Sequence, residues 1–391
     1  MSHLLNVPFI DELESMVEFC RKFNNIYIYG CNKNQQYLLK FLDCCELSIK
    51  GYITTELVPE PDWIYRALPI RLIDDVIKDH DTGIILASRD LDYNSVVPKM
   101  NSNGFTNYFF LSERNKQQIV DKMSMRSMPG FEINLAEHCN LNCRHCDHFS
   151  QLAEPEFLDL DTFSRDMQRL AELSDGRLGW LSLLGGEPLL HEDVNKFMEV
   201  ARAHFPKVVI YIYTNGLLLL AAEKNKKGNF WECCAKNDIT VIVTRHTIDL
   251  DLASIEAKAQ EYSVKLKVIT YLMTLTKDEK HYAKYPLDTS GTIKKHEFIY
   301  CTHFNCCFTL RKGRIYTCVV IPNSRHFNKA FNKNLQETEA DSIDIYKVES
   351  YEEVTSFLSN RIPFCKYCDI KSRTYGHKWA KSDKSIDEYT R

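Results

Sequence analysis

The chain has 391 residues, enough for two or three domains that each bury a core. With 44% hydrophobic and 26% charged residues, a formal net charge of −4 and no Lys/Arg block, it reads as a soluble globular chain with no nucleic-acid partner. The longest apolar runs, Val208–Tyr213 and Leu217–Ala222, are far too short to span a membrane, and no basic signal region opens the chain, so the expectation is cytoplasmic.

Leu13–Phe23 has helical apolar spacing, Asn25–Tyr29 is a β-prone run ending at Gly30, and Gln36–Leu42 returns to helical spacing. Ile49–Thr54, Gly83–Ser88 and Asn107–Leu111 read as strands, with Leu72–Lys78 and Tyr93–Met100 as helices between them. This alternation predicts a parallel sheet covered on both faces, similar to a Rossmann-like domain. The glycine-rich dinucleotide fingerprint is absent: the run is Gly30-Cys31-Asn32-Lys33-Asn34-Gln35, with only the first glycine.

Pro129-Gly130 marks a boundary. A second alternation follows, with strands at Phe131–Ala136, Leu178–Leu184, Val208–Tyr213, Ile239–Thr244 and Val264–Tyr271. Helices fall at Leu160–Leu173, Asp193–Phe205, up to about Lys236, and near Leu252–Tyr262. Too few units for a full barrel, these predict a partial (β/α)6 TIM-like barrel with its chemistry at the strand C-termini. Residues 272–298 read as a bridge, and the remainder as a cysteine-rich, metal-stapled segment. The expected domains are therefore 1–125, 126–298 and 299–391.

The chain contains fifteen cysteines. In a reducing compartment, clustered cysteines point to metal or catalysis rather than to disulfides. Cys139-Asn140-Leu141-Asn142-Cys143-Arg144-His145-Cys146 puts three thiolates on one loop. Three ligands grip one face of a [4Fe–4S] cube and leave one iron open; the alternative is a zinc site completed by His138, His145 or His148. Glu137, His138 and His148 flank the loop without an assigned role. Cys233 and Cys234, and the N-terminal Cys20, Cys31, Cys44 and Cys45, read as small core residues.

The C-x3-C-x2-C loop after the first barrel strand resembles the signature of the radical S-adenosylmethionine (SAM) superfamily. Gly185-Gly186-Glu187-Pro188 after the second strand and Thr214-Asn215-Gly216 after the third are similar to that superfamily's further motifs, in the same order. The resemblance implies that Cys139, Cys143 and Cys146 bind a catalytic [4Fe–4S] cluster whose open iron takes SAM. It implies cofactor contacts for Gly185, Gly186, Glu187, Pro188, Thr214 and Asn215, with Glu187 on the methionine amino group. By the same resemblance His145 lies near the adenine, and Thr244 and Arg245 near ribose or carboxylate. The reaction it implies is reductive cleavage of SAM to a 5′-deoxyadenosyl radical that abstracts a substrate hydrogen, with flavodoxin or ferredoxin as electron donor.

Cys301 is followed by Gly313 and Cys318, with Phe308–Arg311 and Arg314–Val319 reading as a hairpin around Lys312-Gly313. With Cys365 and Cys368 this supplies four thiolates, enough for zinc or an iron–sulfur cluster. The set resembles the twitch domain, a short SPASM-like module that carries one auxiliary [4Fe–4S] cluster. Cys306 and Cys307 compete with Cys301 for the first ligand position.

An auxiliary cluster suits either oxidation or epimerisation; for the latter, Cys306, Cys307 and Tyr316 are candidate hydrogen donors. The Rossmann-like front, with Ile26–Gly30, Ile49–Thr54 and Leu68–Ile73, looks like nucleotide-sugar-binding modules, which favours a sugar or related small-molecule substrate. A maturase of ribosomally made peptides is the alternative, although its usual winged-helix-like recognition domain is not what the front segment predicts. A non-enzymatic iron–sulfur or zinc module is the third option, and the Gly185–Pro188 segment argues against it.

Overall fold

The structure is a computed structural model, described for residues 11–31, 34–55, 68–76, 80–87, 93–124, 129–222, 228–246, 250–269, 282–304 and 308–390. It comprises two compact units: Met1–Met125 with Lys294–Ile299, and Arg126–Ile293 with Tyr300–Arg391.

The first unit runs α1 (Glu12–Cys20), β1 (Asn25–Tyr29), α2 (Gln35–Cys44), β2 (Ile49–Thr54), β3 (Ile70–Leu72), β4 (Thr82–Leu86), α3 (Tyr93–Ser102), β5 (Tyr108–Phe110) and α4 (Glu113–Met123). Its parallel sheet has the order β3-β2-β1-β4-β5. Near-continuous apolar runs build this sheet, and Ile28, Ile53, Ile84 and Ile85 are fully buried in it. Two elements differ from expectation. Most of the segment read as a helix from Leu72 forms no α-helix: Ile70–Leu72 pairs with Tyr52–Thr54, and one 3-10 turn, Ile73–Asp75, follows. Strand pairing overrides local helical spacing there. Helix α4 has only Ile119 and Met123 buried, too sparse a stripe to stand out, and is started by the Ser112 side chain accepting from Asn115 N. Cys20 and Cys45 are buried, Cys31 and Cys44 half-buried.

The second unit runs β6 (Phe131–Ala136), α5 (Leu160–Ser174), β7 (Leu181–Gly185), α6 (Val194–His204), β8 (Ile210–Thr214), α7 (Phe230–Lys236), β9 (Ile239–Thr244), α8 (Leu252–Glu261) and β10 (Leu266–Ile269). It continues through β11 (Tyr282–Lys284), β12 (Phe308–Arg311), β13 (Arg314–Tyr316), α9 (Val320–Phe331), β14 (Ser342–Asp344), α10 (Tyr351–Leu358) and β15 (Thr374–His377). One sheet has the order β10-β9-β8-β7-β6-β12-β13-β14. Its first five strands are parallel, as a partial barrel requires. Residues 270–281, which follow β10, lie outside the described residues, so a sixth β/α repeat is not among the described elements.

Helix α5 shows why these helices cover the sheet: Asp159 caps its first turn, and Phe163, Met167 and Leu170 form one buried stripe. Cys233 and Cys234 are buried in α7, as core residues. Beyond the bridge, β12 pairs in parallel with β6 and extends the barrel sheet. The cysteine-rich region and the barrel are thus one unit. Among the described residues no helix is long and apolar enough to cross a membrane.

Candidate functional site

Strands β6, β7, β8 and β9 end side by side, and their following loops carry the candidate residues. The loop after β6 gathers Cys139, Cys143 and Cys146, each half-buried. Burial pushes the Cys139 thiol up to about 12, with Glu187 and Cys143 adding to the rise. Burial likewise raises Cys143 and Cys146. Thiols this reluctant to ionise alone become thiolates on a metal centre. Their sulfurs also meet N–H donors: Leu141 N and Asn215 Nδ2 approach Cys139 Sγ at 3.3 and 3.7 Å, and Trp379 Nε1 approaches Cys143 Sγ at 3.3 Å. Among the described residues, the three ligand-type side chains whose atoms draw within 4.8 Å of one another are Asp11, Glu14 and His296, in the first unit. Three thiols on one loop leave a [4Fe–4S] cube one iron open, because a cube offers each thiolate its own iron.

Gly185 and Gly186 bring the next loop onto this one. Gly185 has φ +133°, and a Cβ there would lie 2.2 Å from the Ala136 carbonyl oxygen. A Cβ on Gly186 would lie 2.1 Å from that of His138. The close approach that these glycines allow is therefore to the backbone of the cysteine loop itself. It is sealed by Gly186 N to Ala136 O at 2.8 Å and Glu187 N to His138 O at 3.1 Å. Glu187, beside Pro188 at the start of a 3-10 turn, is wholly buried. Its carboxylate accepts from Thr214 Oγ1 at 2.7 Å, Asn215 N at 2.9 Å and Leu189 N at 3.1 Å. Burial outweighs these neutral donors and pushes its pKa up to about 7. No cationic side chain among the described residues pairs with it, so the site suits an ammonium ligand. Asn215 also donates to Asn140 Oδ1 at 2.7 Å, joining the third strand's end to the cysteine loop.

Other expected residues lie elsewhere. His145 is left-handed (φ 64°); its Nδ1 lies 3.0 Å from the Glu388 carbonyl and its ring 4.8 Å from that of His377, so it faces the C-terminal segment. Thr244 is half-buried, and Arg245 is exposed, its backbone N bonding to Ile269 O at 3.0 Å.

The second cysteine group also converges. Burial raises the thiols of Cys318, Cys365 (to about 12) and Cys368, and each feels Cys301. Cys301 differs: burial would raise it, but the His303 hydrogen bond and charge hold it at about 6. Burial opposes the charge on His303 in turn, yet Asp147 and Cys301 raise it to about 10. His303 Nε2 lies 2.9 Å from Asp147 Oδ2, and Asp147 follows Cys146 directly, so one ion pair connects the two cysteine groups. A small cavity between them, of about 30 Å³, is lined by Cys146, Asp147, Cys301, His303, Cys368 and Tyr389. The hairpin β12–β13 turns at Lys312 and Gly313, both at positive φ. Tyr316 is buried, donates to Glu337 at 2.9 Å and is pushed up to about 12 by burial. Cys306 and Cys307 lie outside the described residues.

Sequence reading passed over Asp147, His303 and Trp379, whose roles arise only from contacts across 156 and 236 positions. Glu137, left without a role, is the centre of an ion cluster. It lies 3.1 Å from Arg311, 3.2 Å from Arg325 and 3.2 Å from His326.

In comparisons with known proteins, residues 133–230 match the family model of the Radical SAM superfamily. The GTP 3',8-cyclase of Clostridium perfringens (strain SM101 / Type A) is 30% identical over 172 residues, 39% of this chain and 50% of the cyclase. That of Stenotrophomonas maltophilia (strain K279a) is 32% identical over 96 residues, 24% of this chain and 28% of the cyclase. The chain thus spans half or less of the length of these curated relatives. The crystal structure of BtrN in complex with AdoMet and 2-DOIA aligns at a TM-score of 0.39 and 17% identity, covering 63% of this chain and 94% of that one. The family match runs through the cysteine loop and the Gly185–Pro188 segment, so this part of the chain is similar to the radical SAM superfamily.

Proposed function

We propose that the chain is a radical SAM enzyme with two [4Fe–4S] clusters, which oxidises or epimerises a sugar, nucleotide-sugar or related small molecule. In this reading Cys139, Cys143 and Cys146 hold the SAM-binding cluster, and Cys301, Cys318, Cys365 and Cys368 hold the auxiliary one. The single observation that carries it is the buried Glu187 carboxylate, served among the described residues by neutral donors, beside three converging thiols.

When bound, the cluster and SAM together supply a 5′-deoxyadenosyl radical, which abstracts a hydrogen atom from the substrate. The chain's own residues bind and orient. Glu187 receives the methionine ammonium, and Thr214 and Asn215 fix the carboxylate that receives it. Leu141 N–H and Asn215 Nδ2 support the Cys139 sulfur. The His303 cation, anchored by Asp147, favours the thiolate of Cys301. The substrate class is supported by the parallel, Rossmann-ordered first unit and by relatives named as GTP cyclases.

Anaerobically reconstituted protein should hold about eight iron and eight sulfide per chain. With dithionite and SAM it should release 5′-deoxyadenosine, and Cys143→Ala should abolish that release. No SAM binding and no cleavage would sink the reading. Four iron with one zinc would make the second site structural. Turnover of a precursor peptide in place of a nucleotide-linked sugar would move the enzyme to the peptide maturases.

A further inference from the structure

The C-terminal segment 377–389 lies along the first cysteine loop and is fastened to it on both sides of Cys143. Arg144 N donates to Ala380 O at 2.9 Å, and Ser382 N donates to Asn142 O at 2.9 Å. Cys143 and Lys381 form an antiparallel bridge between these two bonds. The buried Glu388 carboxylate then clasps the segment into a turn. It accepts from Ser382 Oγ at 2.7 Å and Asp383 N at 2.6 Å, and pairs with Arg144 at 3.6 Å. Arg144 also pairs with Asp383. Gln151 Nε2 donates to the Tyr389 hydroxyl at 2.6 Å and closes the far end.

This fastening sets Trp379 over the loop. Its indole Nε1–H donates to Cys143 Sγ at 3.3 Å. His246 Nδ1 lies farther from the same sulfur, at 3.8 Å. Leu141 N and Asn215 Nδ2 serve Cys139, and the Ser150 backbone serves Cys146. An indole N–H is a pure donor, so it stabilises negative charge on sulfur whatever the pH. A cluster carries more negative charge on its sulfurs when reduced, so such a bond strengthens on reduction and raises the reduction potential.

We propose that Trp379 is a positioning residue that sets the reduction potential of the SAM-binding cluster through its N–H···S bond to Cys143, with the clasped C-terminal segment as its mount. The proposal rests on the reading of Cys139, Cys143 and Cys146 as cluster ligands. Its substance is electronic, beyond ligation: the segment makes the cluster easier to reduce by a physiological donor.

The test is an anaerobic redox titration of reconstituted full-length protein followed by electron paramagnetic resonance. The signal that changes on adding SAM identifies the relevant cluster. Trp379→Phe keeps the ring and loses the donor. It should lower the midpoint potential of that signal while leaving the auxiliary signal and the iron content unchanged. An unchanged midpoint at full iron content would overturn the proposal. Should the variant lose iron, wild-type protein labelled with ¹⁵N-indole tryptophan decides: a weak ¹⁵N coupling on the reduced, SAM-responsive cluster is expected, and its absence overturns the proposal. Wild-type protein with no SAM-responsive signal would instead defeat the cluster reading itself.

Discussion

Glu187 has no counter-ion among the described residues, although it is a wholly buried carboxylate. Burial holds its folded pKa at about 7, above the ordinary value of 4.5. The sign of the linkage follows. Its contribution to stability is full below about pH 4.5 and is lost as pH rises through about 7. Cluster-free protein should therefore lose stability between pH 5 and 8, and Glu187→Gln should flatten that loss; thermal unfolding across the range measures it. If Glu187 receives the SAM ammonium, as proposed, the same substitution removes a charge-assisted bond in reconstituted protein. Affinity for SAM should fall about tenfold, at roughly 1.4 kcal/mol per decade, measured by equilibrium binding. Unaltered affinity would place the ammonium elsewhere. At this scale the sequence was informative: residue types and spacing singled out the three cysteines and Glu187. It could not show that the glycines before Glu187 serve the approach of two loops, because that depends on the Ala136 and His138 carbonyls.

At the scale of elements, the end of β6 is tied to the hairpin strand β12 and to helix α9 through Glu137. Burial alone would raise this carboxyl, but the hydrogen bond to His326 and the Arg311 and Arg325 guanidiniums hold it down at about 2. This contribution is present above about pH 4.5 and is lost as pH falls towards 2. Glu137→Ala leaves the two arginines without their buried partner and should cost about 3 kcal/mol, measured by denaturant unfolding at pH 7. A cost near zero would mean that Glu156, which also meets Arg311 and Arg325, carries the cluster alone. Sequence periodicity found the barrel strands within a few residues, because each is a distinct apolar run. It missed helix α4, whose buried stripe is two residues, and began a helix at Leu72, which instead ends strand β3 paired with β2.

At the scale of the whole molecule, the barrel and the cysteine-rich region form one compact unit with one continuous sheet, while most of the chain before residue 126 forms the other. The Asp147–His303 pair and the cavity beside it lie between the two cysteine groups. If both groups hold clusters, Cys365→Ala should retain SAM cleavage uncoupled from substrate, with iron content reduced by about half and product lost. Persisting product would make the second group structural.

The sequence by itself determined the resemblance to radical SAM proteins, the loop of three thiols and two alternating α/β regions, because each is written in local spacing and short motifs. Only the tertiary structure decided that Glu187 stands buried with no cation among the described residues, that Asp147 meets His303, that Glu137 is a hub of arginines, and that Trp379 reaches Cys143. Each of these needs groups far apart in the chain to share one buried place, and their energies depend on burial and partner geometry that no local pattern encodes.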